Sequence, residues 1–550
     1  MATKFQENQS SNGSLDHQNG DHDIDGDDQF RYLIVQPEKG GLLDLAKYTV
    51  VGDIGSGVRF LEGSDEQALG GVAVAQRWVI VVSIIVRKII ALFGKPMELT
   101  GYVVDFILNL LSLNGNLFGL LSNVIHGTVM VPQRGTETFI STIGHLDGRI
   151  NLYKKGERLA EDIVASVNSE ETSITAELGN RALMDLCIMA SKLAYENAKV
   201  IRGIVTDHWK MHFVDFYDCW NDFQKQMSTQ VFILCDKPKD ANFIMVSFRG
   251  TEPFDADDWS TDFDYSWYEI PQLGKVHMGF LEAIGLGNRT DVATFYNQIL
   301  VYNQLQEKHK FTPQQGVEGS ERPSDGITAL SSNGFKIVPP DMVKKSAYYV
   351  VREKLKSLLE EHKNAKFIVT GHSLGGALAI LFPCVLVLHE EMELMDRLLG
   401  VNTFGQPRIG NRQLGRYMES YLNNPVRKYF RVVYSNDLVP RLPYDSRTFL
   451  FKHFGVCLYY DSLYKEHVTK EEPNKNFLGL GYLMPSYLTA AWELLRSFIM
   501  GYTYGPEYKE GWFSVLLRIV GLVLPGFSAH SPTNYVNSVR LGKERIVQSY

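Results

Sequence analysis

The chain has 550 residues, 45% hydrophobic and 21% charged, a globular composition long enough for one large catalytic domain plus substantial additional segments. Its formal net charge of −8 gives no basis for nucleic-acid binding. The five cysteines (Cys187, Cys219, Cys235, Cys384 and Cys457) are scattered and form no C-x-x-C pair, which argues against a disulfide framework and against zinc and fits a reducing compartment.

Residues 1–29 are rich in Ser, Asn, Gly and Asp, carry no apolar signal-peptide core, and read as a disordered acidic leader. Asp21, Asp23, Asp25 and Gly26 imitate the start of an EF-hand loop, but the twelfth position is Tyr32 and no helical pattern precedes it, so a solvated tail is expected. The Asn-x-Ser/Thr sites at Asn8, Asn12 and Asn288 are accordingly expected to be unused, in a chain that is cytosolic or attached to a membrane from the cytosolic side.

An N-terminal region over 30–71 leads into the most apolar stretch of the chain, 72–132. Val79 to Phe93 is interrupted by Arg87-Lys88 and soon followed by Pro96, so it is shorter than the roughly 18–20 uninterrupted apolar residues a spanning helix needs. Beyond Pro96, Glu98, Asp105, Asn109, Ser112 and Asn116 recur at intervals of 7, 4, 3 and 4, which on a helix makes one narrow polar stripe on an oily cylinder. The reading is a hairpin or in-plane element embedded in a lipid monolayer or one leaflet; the alternative is a pair of helices buried against the rest of the protein. A helical connector follows over 133–199.

From about residue 200 strand-like and helix-like runs alternate, the pattern of an α/β domain. Val231–Leu234 and Phe243–Phe248 make a strand pair, and Thr312 to Lys345, rich in Gly, Ser, Pro and Asn, reads as a surface insertion over 312–345. The helix Tyr348–His362 then leads to the apolar run Phe367-Ile368-Val369 and to Gly371-His372-Ser373-Leu374-Gly375, which opens an Ala/Leu-rich helix start. A G-x-S-x-G pentapeptide in strand–turn–helix context places a serine hydroxyl on a strained turn clear of the sheet, making Ser373 a nucleophile candidate.

Such a serine needs a base and the base an orienting carboxylate, in the chain order Ser, Asp or Glu, His. Asp437 lies just past the strand Lys428–Tyr434; Asp445 and Asp461 also follow Ser373 but not at strand ends. Of the later histidines, His467 stands in a charged stretch, His453 fits a strand, and His530 occupies a Gly/Ser/Pro-rich loop able to fold back on the site. His530 is favoured, with His453 second. Oxyanion donors are expected from the backbone N–H of Leu374 and from Thr251, where the strand ending Phe248-Arg249-Gly250 turns and the threonine hydroxyl offers a third donor.

Phe248-Arg249-Gly250-Thr251, Val276-His277-x-Gly279-Phe280, the Ser373 pentapeptide, Thr403 to Asn411, and Asn436-Asp437-x-Val439-Pro440 together resemble the successive signature blocks of the class 3 lipases. The leader, the apolar segment and the ending Ala529 to Tyr535 resemble in particular the plant oil-body triacylglycerol lipases of that family. The resemblance implies an α/β-hydrolase fold with a mostly parallel central sheet over 200–550, preceded by an apolar helical lipid-associating region. It implies Ser373 as nucleophile, Asp437 as acid, His530 as base, Thr251 and Leu374 as oxyanion hole, and no metal or organic cofactor. One departure is that the family commonly has a tyrosine three residues after the catalytic histidine, whereas Tyr535 is five after His530.

By the same resemblance 253–270, with Trp259, Phe263, Tyr265, Trp267 and Tyr268, is a lid. Phe477 to Met500 and Trp512 to Leu524 roof the acyl groove, dock on lipid or pack on the core. The implied activity is hydrolysis of long-chain acylglycerols at the surface of a lipid droplet, or of the endoplasmic reticulum, with the anchor at 72–132. A phospholipase A1 or galactolipase acting on bilayer lipid, and an inactive droplet coat or tethering protein, are the alternatives.

Overall fold

The computed structural model describes residues 31–52, 54–64, 74, 76–152, 181–301, 345–445, 450–476, 480–542 and 545–547; the acidic leader and nearly all of the 312–345 insertion lie outside them. A nine-stranded sheet forms the centre, in the order β13-β12-β11-β10-β9-β8-β5-β4-β3. Its strands are β3 (His212–Asn221), β4 (Gln226–Cys235), β5 (Phe243–Phe248), β8 (Lys366–His372), β9 (Leu398–Phe404), β10 (Tyr429–Tyr434), β11 (Val456–Tyr460), β12 (Glu466–Thr469) and β13 (Arg545–Val547). The run β5-β8-β9-β10-β11 is parallel, while β3 and β4 add as antiparallel strands at one side. All six residues of β5 are buried, as a parallel strand covered on both faces requires.

The period-2 alternation of the strands divides the core in two. Ile244, Val246, Phe367 and Val369 face α6 (Met278–Ile284), α7 (Ala347–Glu361) and α8 (Leu374–Leu388). Phe243, Met245 and Ile368 face α4 (Arg181–Leu193) and α12 (Pro532–Leu541). Helix α4, expected in a connector, is therefore part of the catalytic body.

A second sheet, ordered β2-β1-β6-β7, joins β1 (Tyr32–Val35) and β2 (Leu61–Gly63) to β6 (Trp267–Ile270) and β7 (Gly274–His277). The N-terminal region is thus stitched into the same body through Leu33 opposite Trp267. This also divides the expected lid. Tyr265, Trp267 and Tyr268 are core residues, and within 253–270 only α5 (Ala256–Asp262) and its flanks lie outside the second sheet and its core.

The apolar segment forms one long helix, α1 (Arg77–Leu113), and α2 (Asn116–His126). Pro96 does not end α1; the helix runs through it. Val79, Ile80, Val81 and Ile84 are buried in a cluster with Leu33, Tyr48 and Trp267, so the first turns of α1 are core. Farther on, Asp105 and Asn109 of the polar stripe are turned inward, while Glu98, Ser112 and Asn116 are exposed. Asn109 Nδ2 donates to the Ile140 carbonyl (2.8 Å) and its Oδ1 accepts from the Ile140 N–H (2.8 Å), and Asp105 accepts from Thr142 Oγ1 (2.6 Å). The oily face is left outside, with Leu99, Phe106, Leu117, Phe118, Leu121 and Ile125 exposed. The expected burial against the rest of the protein is thus seen for the first turns of α1, while much of the remaining apolar surface of α1 and α2 is exposed. No helix among the described residues is long and apolar enough to cross a membrane.

The five cysteines are free and buried, and Asn288 is buried with its Nδ2 bonded to Asp222 (2.8 Å), inaccessible to glycosylation. Helix α1 is tied by charge to the segment that follows α5. Arg87 Nη1 donates to Asp264 Oδ1 (2.9 Å), and Arg289 bridges Asp264 Oδ2 (2.7 Å) to Glu282 (2.9 Å). Burial opposes ionisation of Asp264, but the two guanidinium groups outweigh it and hold the carboxyl well below its ordinary range. Removing one partner strands buried charge, so Arg289→Met should cost about 3–5 kcal/mol, read as a lowered denaturation midpoint.

Candidate active site

The parallel strands all deliver side chains to one edge, where their carboxyl ends line up. Ser373 follows β8 directly and sits at φ +59°, ψ −133°, a conformation an L-residue holds only under constraint from its surroundings. Those surroundings need glycines. A Cβ on Gly371 would lie 2.1 Å from the Gly375 carbonyl oxygen, and one on Gly375 would lie 2.3 Å from the Phe248 oxygen. The Ser373 N–H closes the turn by donating to the Phe404 carbonyl (2.9 Å).

Asp437 lies three residues beyond β10, and His530 follows the short α11 (Pro525–Ala529). The structure brings both to Ser373. Ser373 Oγ stands 2.8 Å from His530 Nε2, and His530 Nδ1 stands 2.7 Å from Asp437 Oδ2. A carboxylate only accepts, so Nδ1 carries the proton and Nε2 is left to accept from the serine hydroxyl. Asp437 is fully buried; its Oδ1 accepts from the Val439 N–H (2.9 Å) and its Oδ2 also accepts from the Tyr535 hydroxyl.

The other candidates lie elsewhere. His453 bonds the Pro440 carbonyl (2.7 Å), and burial lowers its pKa to about 3. His467 lies 3.5 Å from Asp461, and Asp445 accepts from the Phe451 N–H (3.1 Å).

Among the described residues, the backbone N–H groups of Thr251 and Leu374 have no hydrogen-bond partner. Both lie beside Ser373, at the ends of adjacent strands β5 and β8, and suit a developing oxyanion. The Thr251 hydroxyl, expected as a third donor, is instead directed to Asp262 Oδ2 (3.2 Å). Burial, reinforced by Asp437, pushes Asp262 up to about 7, against the opposing effect of His530 and the Thr251 hydrogen bond.

Sequence reasoning did not assign Tyr535, Tyr195, His372, Asp262 or Gly405. The Tyr535 hydroxyl locks Asp437, reaching it from the first turn of α12, five residues after His530. His372 Nε2 bonds the His530 carbonyl (3.0 Å), which can only accept, so Nδ1 accepts from the Tyr195 hydroxyl (2.9 Å). Burial foremost, with His530 adding to it, keeps His372 neutral. No local pattern marks Tyr195, which lies 178 positions before Ser373, in the turn that follows α4.

A serine, a correctly tautomerised histidine, a buried carboxylate and two unpaired N–H groups on the carboxyl edge of a parallel sheet define a serine hydrolase of the α/β-hydrolase type. Residues 245–447 match the family model described as Lipase (class 3). Triacylglycerol lipase OBL1 of Nicotiana tabacum is 60% identical over 96% of this chain and 97% of its own, and triacylglycerol lipase OBL1 of Arabidopsis thaliana is 57% identical over 94% and 96%. Among solved structures, the native Rhizomucor miehei lipase propeptide complex covers 56% of this chain and 78% of its own, at 18% identity and a TM-score of 0.35. The chain belongs to the class 3 lipase family.

Two substitutions probe this geometry. Gly405, at φ +59°, follows β9, and a Cβ there would lie 2.8 Å from His530 Cε1 and 3.0 Å from Asp437 Oδ2. Gly405→Ala should lower ester turnover at least about 100-fold by displacing these groups, with the far-ultraviolet circular dichroism unchanged. Asp262 has a folded pKa of about 7 against an ordinary 3.8, so the folded chain keeps a proton that the unfolded chain releases. Its contribution to stability is present below the unfolded value and declines as pH rises to about 7. Asp262→Asn should therefore raise the melting temperature at pH 8 and leave it nearly unchanged at pH 4.

Proposed function

We propose that the protein is a triacylglycerol lipase that cleaves long-chain acylglycerol esters at a lipid-droplet surface, using Ser373, His530 and Asp437. The observation that carries the reading is the continuous relay from Ser373 Oγ through His530 to Asp437, at 2.8 and 2.7 Å, in a chain 60% identical to a named triacylglycerol lipase.

His530 Nε2 takes the proton of Ser373 as Oγ attacks the ester carbonyl. The N–H groups of Leu374 and Thr251 receive the oxyanion, and Asp437 stabilises the imidazolium. The collapsing intermediate expels the diacylglycerol alkoxide, which leaves with the proton from His530. Water, deprotonated by His530, then attacks the acyl-enzyme and releases the fatty acid and Ser373. His372 and Tyr535 hold the His530 backbone and the Asp437 carboxylate through these changes of charge.

Ser373 is 2% exposed, so substrate entry requires a displacement of the cover. Helix α5 suits that role: Trp259 packs on Phe527 at 5.8 Å between ring centroids, and Asp262 bonds Thr251. The exposed faces of α1 and α2 supply the droplet anchor. Because the first turns of α1 are core, deletion of 72–132 would break the fold, and substitutions on the outer face are the proper probe.

Wild type and Ser373→Ala are compared on emulsified triolein and on phosphatidylcholine vesicles. The expected result is triolein hydrolysis by wild type and a loss of at least about a thousandfold in the variant. Equal triolein hydrolysis by both would remove Ser373 from the mechanism, and preference for vesicles would make the enzyme a phospholipase. For the anchor, Phe106→Ser, Phe118→Ser, Leu121→Ser and Ile125→Ser together should lower droplet association in a flotation assay.

A further inference from the structure

The helices between the catalytic acid and base are built with their charges inward. These are α9 (Leu480–Thr503) and α10 (Trp512–Gly521). The three charged residues they carry, Glu493, Arg496 and Arg518, are 2%, 5% and 3% exposed. Arg518 donates to Glu493 (3.2 Å), to Glu510 (2.8 Å) and to Asn534 Oδ1 (2.8 Å). Arg496 donates to the Tyr434 hydroxyl (2.9 Å), which donates to Glu493 (2.9 Å).

The outer faces are the reverse. Leu488, Leu495, Phe498, Tyr502, Trp512 and Val523 are between 57% and 91% exposed. Helices facing water place their charges outward, because burying an ion is costly and an exposed apolar face gains nothing. Charges gathered inward beneath an oily outer face suit helices whose outer environment is hydrocarbon.

Three observations indicate what covers this face. Tyr482, Tyr487, Trp492 and Tyr504 are also exposed, and Tyr and Trp are the side chains that favour the boundary between lipid and water. The face adjoins the apolar N-terminal helices through α3 (Thr142–Leu146): Thr142 bonds Asp105 of α1, while Phe513 and Leu517 of α10 pack on Ile143 and Leu146. It also borders the catalytic edge, because α11 packs against α9 and α10 and its Phe527 meets Trp259 of the cover.

We infer that α9 and α10 form a second lipid-docking face, lying in the plane of an acylglycerol droplet surface beside the active-site mouth. The choice of lipid as occupant rests on the proposed lipase function. The buried ion cluster holds this face rigidly to the catalytic groups: Tyr434 ends the strand before Asp437, and Asn534 Nδ2 donates to the Ser528 and Ala529 carbonyls just ahead of His530 (3.0 and 3.2 Å).

The test uses the full chain with Leu488→Ser, Leu495→Ser, Phe498→Ser and Trp512→Ser combined, floated with phosphatidylcholine-coated triolein droplets and assayed on the soluble ester p-nitrophenyl butyrate. The expected result is a fall of about fivefold or more in bound protein, with soluble-ester turnover within about twofold of wild type. Flotation equal to wild type overturns the inference. So does a wild-type dimer that the variant dissolves while droplet binding persists, since the face would then belong to a second copy.

Because the native cysteines are buried, a single exposed cysteine can also be labelled selectively. An environment-sensitive nitrobenzoxadiazole dye on Leu495→Cys should shift to the blue when droplets are added. The same dye on Lys239→Cys, in the turn before β5 at the opposite edge of the sheet, should not shift. No shift at position 495 overturns the inference even where the fourfold variant misfolds. Droplet binding and triolein hydrolysis measured side by side in the wild type separate the two readings: binding with triolein left intact refutes the lipase reading and leaves the docking face standing.

Discussion

A serine held at φ +59° between two strand ends is the constraint on which the catalytic edge depends. An L-residue stays there only when its neighbours allow close backbone passage, and Gly371 and Gly375 provide it by omitting side chains that would strike carbonyl oxygens. The same turn leaves the Leu374 N–H at the start of α8 without a partner, beside the end of β5 where the Thr251 N–H is also free. The strained serine turn and the two unpartnered N–H groups are thus consequences of one backbone geometry. His372, inside that turn, extends its influence to the base by bonding the His530 carbonyl.

Around this edge the protein inverts the usual distribution of polarity. In α1 the stripe of Asp105 and Asn109 is spent on the backbone and side chains of 140–142, and in α9 and α10 the charged residues meet beneath the surface. Ordinary globular helices expose polar faces to water. Here two separate helical regions leave apolar faces outside, and both touch α3 and the surroundings of the cover α5. Asp264 binds Arg87 of α1 just after α5, and Phe527 packs on Trp259 within α5, so this helix is held from both sides.

Much of this arrangement was legible because short-range patterns carry it. The alternation of apolar runs and helices specifies an α/β sheet, and β4, β5, β8 and β10 fall on the strand-like runs of the sequence. Family blocks at Thr251, Ser373 and Asp437 follow three strands of one parallel run, the neighbours β5 and β8 and, beyond β9, β10. The same local reading misjudged 253–270 as a continuous lid, because Trp267 and Tyr268 pair with β1, a strand more than 200 residues earlier. It also treated 30–71 as separate from the catalytic unit, for the same reason. Pro96 suggested a break in α1, yet a proline removes only one helical hydrogen bond, and packing on either side carries the helix through.

The sequence by itself determined the fold class, the nucleophile turn and the family, because strand periodicity, a G-x-S-x-G turn and contiguous signature blocks are properties of neighbouring residues. Only the tertiary structure decided which histidine meets Ser373, how Tyr535, Tyr195 and Asp262 support the site, and which way the oily helices face. The histidine and tyrosine contacts join residues roughly 100 to 200 apart in the chain, and even the shorter Thr251–Asp262 and Asn109–Ile140 contacts are settled by burial and hydrogen-bond satisfaction in the packed whole.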